Sequence, residues 1–286
     1  MSGLKNLGNT CYLNSGLQLL LSNNDFKKYF LKNKFKSEKL NIIKKFISDY
    51  VDNSIVSPLK IVKMISSRKS IFGRGSQNDT SEFIIFLFDI IENELKKENK
   101  NNVLKYLYNI GSETNIKCKV RSCLTISNSN FEDYFLFLDI PSDSNNLCLD
   151  DCYRKFKSKI KLDGEDMYYC EKCDEKRIAS KKVSISDWPK NLIIILKRFQ
   201  LRGTRYVKNN IDIEIPSIWR RGYELISCVI HSGGRHGGHY ICVSKIDGEW
   251  YLLNDSYVSK IKNKDQLINY LNQGYIYYYQ LNGELE

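Results

Sequence analysis

The apolar residues of this chain change their spacing part-way along, and that change limits the folds open to it. In the first hundred residues they recur at helical intervals: Leu40, Ile43, Phe46, Ile47, Tyr50 and Val51, then Phe83, Phe86, Leu87, Ile90 and Ile91. Asp79 stands where it can cap the second helix, with Glu82 three residues on, the spacing of a capping box. From Val183 onward the pattern is that of strands: NLIIILKRF, ELISCVIHS, HYICVSKI, EWYLLND and YIYYYQL. Between them, Gly111 to Lys176 is polar, cysteine-bearing and interrupted, around the strand-like FEDYFLFLDI. Helices first and antiparallel strands later predict an α+β fold. No internal repeat or Gly-, Pro- or Ser-rich linker divides the chain.

The 286 residues, 42% of them hydrophobic, suffice for a sizeable core, and 16 glycines with 4 prolines argue against a disordered or collagen-like chain. The net charge of +11 would suit acidic partners of several kinds. The lysines are scattered in short runs such as Lys96-Lys97 and Lys181-Lys182, the pattern of solvated faces rather than of a nucleic-acid groove. The start, MSGLKNLGNT, lacks the apolar core of a signal peptide. The longest aliphatic run, Leu192 to Leu196, falls far short of the ~20 residues of a membrane helix. The expectation is an intracellular protein, cytoplasmic or nuclear, without a membrane partner. Its nine cysteines then read as thiols, metal ligands or a nucleophile rather than a disulfide framework.

Asn6-Leu7-Gly8-Asn9-Thr10-Cys11 runs into YLNSGLQLLL, which places Leu13, Leu17 and Leu20 on one side of a helix. With Asn9 or Thr10 as N-cap, Cys11 lies in the first turn, where free N–H groups and the helix dipole favour a thiolate. The alternative is a buried cysteine serving as a small hydrophobe.

Of three histidines, His239 begins a strand after the glycine-rich approach Gly233-Gly234-Arg235-His236-Gly237-Gly238. Asp247-Gly248 marks a two-residue hairpin turn between that strand and the next. Ile246 then faces Glu249, paired numbers sum to 495, His239 falls opposite Ser256, and Asn254 falls opposite Ile241. His239 and Asn254 become diagonal neighbours on one face, roughly 7–8 Å apart between backbones. Asp255 points to the other face. This register selects Asn254 over Asp255 as the orienter of the imidazole, and a bulge would reverse the choice. The glycines before His239 form a wall that an extended peptide can approach closely.

These segments resemble the motifs of the ubiquitin-specific proteases. Gly3 to Ser15 with Gln18 is similar to the family's cysteine box. His231-Ser232-Gly233, Gly238-His239-Tyr240, Trp250-Tyr251 and Asn254-Asp255-Ser256 resemble its histidine box. Gln77 to Phe83 resembles its glutamine–aspartate segment, and Leu196-Lys197-Arg198-Phe199 its Leu-Lys-Arg-Phe strand. The resemblance implies a papain-like fold in one catalytic domain, 1–286, with a helical thumb (about 1–110), fingers (111–180) and a palm (181–286).

It implies a thiol protease that cuts after the C-terminal glycine of ubiquitin, with Cys11 as nucleophile and His239 as base and then acid. Asn254 would orient His239, Asn6 would donate to the oxyanion, and Asp255 matches a position that assists in some members. Asp79 and Glu82 match residues that bind arginines of the ubiquitin tail, with Gly238 and Tyr240 beside them as substrate contacts. The partners would be ubiquitin and ubiquitinated proteins, met by a monomer with no domain ahead of Cys11. An inactive ubiquitin-binding module, or a protease for another ubiquitin-like modifier, would share these motifs.

Cys170-Glu171-Lys172-Cys173 is half of a tetrahedral zinc site. Cys118 and Cys123 are the expected other half, although four residues separate them where the family's fingers usually have two. A structural Zn²⁺ on these four is the implied cofactor. Cys148 and Cys152, one helical turn apart, read as core with substitute metal ligation as the alternative, and Cys228 and Cys242, inside apolar strands, read as core.

Overall fold

The run Asn191–Leu196 is buried at every position, at the heart of a sheet. The computed structural model describes residues 2–73, 75, 77–123, 125–142, 146–202, 205–234 and 237–282. The sheet runs in the order Tyr257–Lys260, Glu249–Asn254, Gly237–Ile246, Tyr223–Gly234, Gly274–Leu281, Asn191–Leu196 and Phe135–Leu138. Only the last pair is parallel.

Strand side chains alternate, so strands covered on both faces feed two separate cores. Ile193, Ile195, Val229, Ile276 and Tyr278 point to one, where they meet Leu13, Leu17, Phe83 and Leu87 from helices. Leu192, Ile194, Leu196, Tyr277 and Tyr279 point to the other, which holds Leu149, Cys152 and Trp219. Cys242 lies in the first core and Cys228 in the second. Full burial of each Leu or Ile contributes about 1.5–3 kcal/mol, so the central strands anchor both layers at once.

The helices gather ahead of the sheet. Glu38–Asp52 buries Leu40, Ile43, Phe46, Ile47 and Tyr50, while Val51 faces solvent. Thr80–Lys97 buries Phe83, Leu87, Ile90 and Ile91 and leaves Phe86 partly covered. Cys11–Leu21 is buried along its whole length, wedged between helix Thr80–Lys97 and strand Gly237–Ile246. It is more enclosed than an amphipathic helix with a single apolar side. Among the described residues no helix is long and apolar enough to cross a membrane.

A second sheet, Ile126–Asp133, Ile110–Cys118, Ala179–Asp187 and Ile160–Leu162, extends from the first. The expected span of the fingers, 111–180, is not continuous in space. Phe135–Leu138 pairs with Ile193 to Leu196 in the main sheet, and helix Leu149–Phe156 packs Leu149 and Cys152 into its second core. FLFL is apolar on both faces, so it goes where both faces can be covered. Half-buried Cys148 caps that helix rather than filling a core, its thiol 3.0 Å from Asp151 Oδ2.

Candidate active site

The loop before helix Cys11–Leu21 folds on the side chain of Asn6. Asn6 Oδ1 accepts from the N–H of Gly8 (3.0 Å) and of Thr10 (3.2 Å), while Gly8 and Asn9 take left-handed φ of 95° and 52°. Thr10 is the N-cap residue, yet its hydroxyl accepts from Leu7 N–H at 2.8 Å instead of capping the helix. The first-turn N–H groups therefore stay available beside the Cys11 sulfur. Burial raises the Cys11 thiol above its ordinary range; the Tyr240 backbone N–H opposes this, the Asp255 charge adds to it, and the N–H groups of Tyr12 and Cys11 oppose it. The first-turn N–H groups favour the thiolate as expected, but desolvation outweighs them.

The hairpin has the predicted register. Ile246 pairs with Glu249, and the ladder continues to Cys242 opposite Leu253, where it stops. Asp247 and Gly248 take positive φ of 49° and 85°, as a two-residue turn with primed geometry needs. Beyond the ladder the strands are unpaired, so Ser256 does not face His239 as a partner. His239 Nε2 and Asn254 Oδ1 nevertheless meet at 2.6 Å.

Asp255 follows at φ 50° and points elsewhere: Oδ2 accepts from Asn6 Nδ2 at 2.8 Å and Oδ1 from Asn14 Nδ2 at 2.7 Å. One carboxylate thus ties together the loop before Cys11 and the helix that carries it. Asn14 had no expected role. Its signal was an asparagine in a leucine-rich helix, a buried amide in need of partners.

Gly238 is tighter than an open wall. A side chain there would meet His231 Nε2 at 2.1 Å and Ser232 O at 2.6 Å, so only glycine fits. His231, buried beneath it, is pushed down to about 4 by desolvation and nearby Lys208, and stays neutral at physiological pH. Its ring lies 4.4 Å from that of Tyr240.

Beside these residues opens a cleft of about 380 Å³, lined by Gln77, Asn78, Asp79, Glu82, Phe199, His231, Gly234 and Tyr240. Asp79 caps helix Thr80–Lys97, accepting from the N–H of Ser81 (2.7 Å) and Glu82 (3.3 Å). It also accepts from the hydroxyls of Tyr275 (3.0 Å) and Tyr240 (3.3 Å). Its oxygens are therefore largely engaged within the protein, and Glu82 is the exposed carboxylate of the cleft.

A model of the family described as ubiquitin carboxyl-terminal hydrolase matches residues 2–279. The chain belongs to that family. It is 26% identical to ubiquitin carboxyl-terminal hydrolase 4 of Saccharomyces cerevisiae over an alignment of 361 residues, covering 97% of this chain and 39% of the yeast protein. The chain thus spans well under half of that relative. Its fold matches one chain of the SAGA Ubp8/Sgf11/Sus1/Sgf73 DUB module bound to ubiquitin aldehyde. The TM-score is 0.83 with 25% identity, over 100% of this chain and 70% of the other. The same module carrying a substituted Ubp8 and bound to monoubiquitin matches equally well. The α+β ubiquitin-specific protease fold follows from these matches.

In this family member the four expected cysteines converge at the end of the second sheet. The sulfurs of Cys118, Cys123, Cys170 and Cys173 all lie within 4.8 Å of one another, with Cys123 and Cys170 at 3.6 Å. Four thiolates at ~2.3 Å from a tetrahedral zinc stand about 3.8 Å apart, so the cluster fits a zinc ion. The four-residue spacing closes because the chain turns back at once, Cys123 N–H bonding Val120 O at 3.0 Å. The other pair sits on a knuckle in which the N–H groups of Cys173 and Asp174 both reach Cys170 O, at 3.0 and 2.8 Å. The Thr125 hydroxyl holds Cys123 below the usual thiol range, and Cys123 in turn pushes Cys173 up.

Proposed function

We propose that this chain is a deubiquitinating cysteine protease that hydrolyses the peptide or isopeptide bond after the C-terminal glycine of ubiquitin. The observation that carries the reading is the 2.6 Å contact between His239 and Asn254, on the strand against which the helix begun by Cys11 packs. A nucleophile at a helix start, with a base and an orienter on the hairpin packed against it, is the arrangement this reading requires.

His239 takes the Cys11 proton as the sulfur attacks the glycine carbonyl carbon, and Asn254 fixes the ring so that its other nitrogen faces the thiol. The carbonyl oxygen becomes an oxyanion, which the Cys11 N–H and the second N–H of the Asn6 amide stabilise. The imidazolium then protonates the departing amine, leaving ubiquitin as a thioester on Cys11. Water, deprotonated by His239, attacks the thioester and frees the ubiquitin carboxylate and the thiol. Asp255 holds Asn6 in place, and Glu82, with Asp79 behind it, receives a cationic substrate tail. A zinc ion on the four cysteines would supply no chemistry here; it would clamp the loops 119–123 and 170–174 so that the second sheet holds its shape against ubiquitin.

Ubiquitin bearing a C-terminal electrophile tests the proposal. Covalent capture by the single chain that is lost in Cys11→Ser supports it. Non-covalent binding without capture indicates an inactive module, and capture only by another modifier's electrophile reassigns the substrate.

A further inference from the structure

The ladder between strands Gly237–Ile246 and Glu249–Asn254 ends at Cys242. In an antiparallel sheet, alternate residues turn their backbone groups to the same side. Gly238 and Tyr240 thus face the edge that the shorter strand leaves open. A bare edge in a sheet needs partners. The Tyr240 N–H lies on the same open edge, against which helix Cys11–Leu21 packs, and it works against the rise of the Cys11 thiol. Gly238 finds both its partners in one side chain: its N–H donates to Gln77 Oε1 at 2.9 Å, and its carbonyl accepts from Gln77 Nε2 at 3.3 Å.

The amide of Gln77 thus reproduces a strand partner at the residue immediately before His239. Gln77 belongs to the loop that leads into helix Thr80–Lys97, on the far side of the cleft and 161 residues away in sequence. We propose that Gln77 is a positioning residue, a two-point amide clamp that sets the Gly238–His239 peptide, and with it the imidazole and the Tyr240 N–H, against Cys11. This rests on the proposed protease activity. Gln77 is exposed, so the bonds add little to stability. What they fix is geometry, and a displacement near 1 Å at a catalytic group costs on the order of 10²-fold.

Gln77→Met keeps the size and apolar stem and removes both bonds. With a ubiquitin C-terminal substrate, kcat is expected to fall about 10–100-fold with KM changed less than threefold. Thermal unfolding stays at the wild-type value. A second readout needs no ubiquitin. With Gly238 released, the Tyr240 N–H withdraws from the sulfur while Asp255, His239 and Tyr12 remain, so the pH midpoint for iodoacetamide alkylation of Cys11 moves upward.

Wild-type kcat in Gln77→Met, or a loss confined to KM with an unchanged alkylation midpoint, overturns the clamp and makes Gln77 a mere substrate contact. A wild-type chain that alkylates normally yet hydrolyses no ubiquitin substrate sinks the protease reading instead. The alkylation midpoint still decides the clamp in that case.

Discussion

Asp255 and Asn6 are joined at 2.8 Å across 249 residues, although Asp255 directly follows Asn254, the residue bonded to His239. Two neighbours in sequence thus serve opposite sides of the same site, one holding His239 and the other holding Asn6. The alternation of strand side chains separates them, and the left-handed backbone of Asp255 completes the separation.

A double-mutant cycle tests that division. Asn6→Ala is expected to lower kcat by about 10²–10³-fold, the usual cost of losing an oxyanion donor. Asp255→Ala acts through the same amide, so adding it to Asn6→Ala lowers kcat little further. Asn254→Ala lowers kcat by roughly 10²-fold, and its effect multiplies with that of Asp255→Ala. Full multiplication of the Asn6 and Asp255 effects would show that they act separately.

The charge on Asp255 also opposes ionisation of Cys11. Asp255→Asn removes a negative charge beside a thiol whose anion is disfavoured, so the thiol pKa falls. Iodoacetamide should then alkylate Cys11 faster at neutral pH, with the midpoint of the profile moved down. Turnover falls at the same time, because the amide offers one acceptor where Asn6 and Asn14 need two. An upward shift of the midpoint would contradict the assigned sign.

For the four cysteines, elemental analysis should find one zinc per chain, absent in Cys170→Ser. Hydrogen exchange in that variant should rise across 119–123 and 170–174, while helix Cys11–Leu21 keeps its protection. Metal-free wild-type protein with the same exchange pattern would refute a structural zinc.

Glu94 offers a prediction remote from catalysis. It is buried, bonded to Lys39 at 2.8 Å, Lys97 at 2.9 Å and Ser37 Oγ at 2.9 Å. The Lys39 bond leads in holding its carboxyl down at about 2. A depressed folded-state pKa stabilises above the unfolded value of ~4.3 and is lost as pH falls toward 2. Wild-type Tm should decline across that window. Glu94→Gln should start lower at pH 7, by about 1–3 kcal/mol, and decline less steeply. Parallel Tm curves would show that Glu94 does not carry this acid sensitivity.

What could be read from the sequence was local. Asp247-Gly248 dictates a two-residue turn, and counting back from it brings His239 to Asn254 without knowledge of the rest of the fold. The helical periods of 40–50 and 83–91 likewise needed only neighbours. The partners of Asn6, Asn14 and Gln77 were not legible, because each bond closes a loop of more than 160 residues, and no pattern near one end specifies the other. The place of Phe135 to Leu138 in the main sheet, away from its neighbours in sequence, has a related reason. An apolar tetrad shows that it will be buried on both faces, but not beside which strand.

Strand Glu249–Asn254 also sets a limit on the length of its own neighbour's partner. Asp255 turns it aside just after Asn254. Three further extended residues would let it zip past Tyr240 to Gly238, displacing Gln77. An insertion there would add hydrogen bonds, lengthen the sheet and raise stability while closing the catalytic centre. The proposed chemistry therefore depends on a sheet left incomplete at this edge, and selection for a firmer fold at this hairpin would work against selection for turnover.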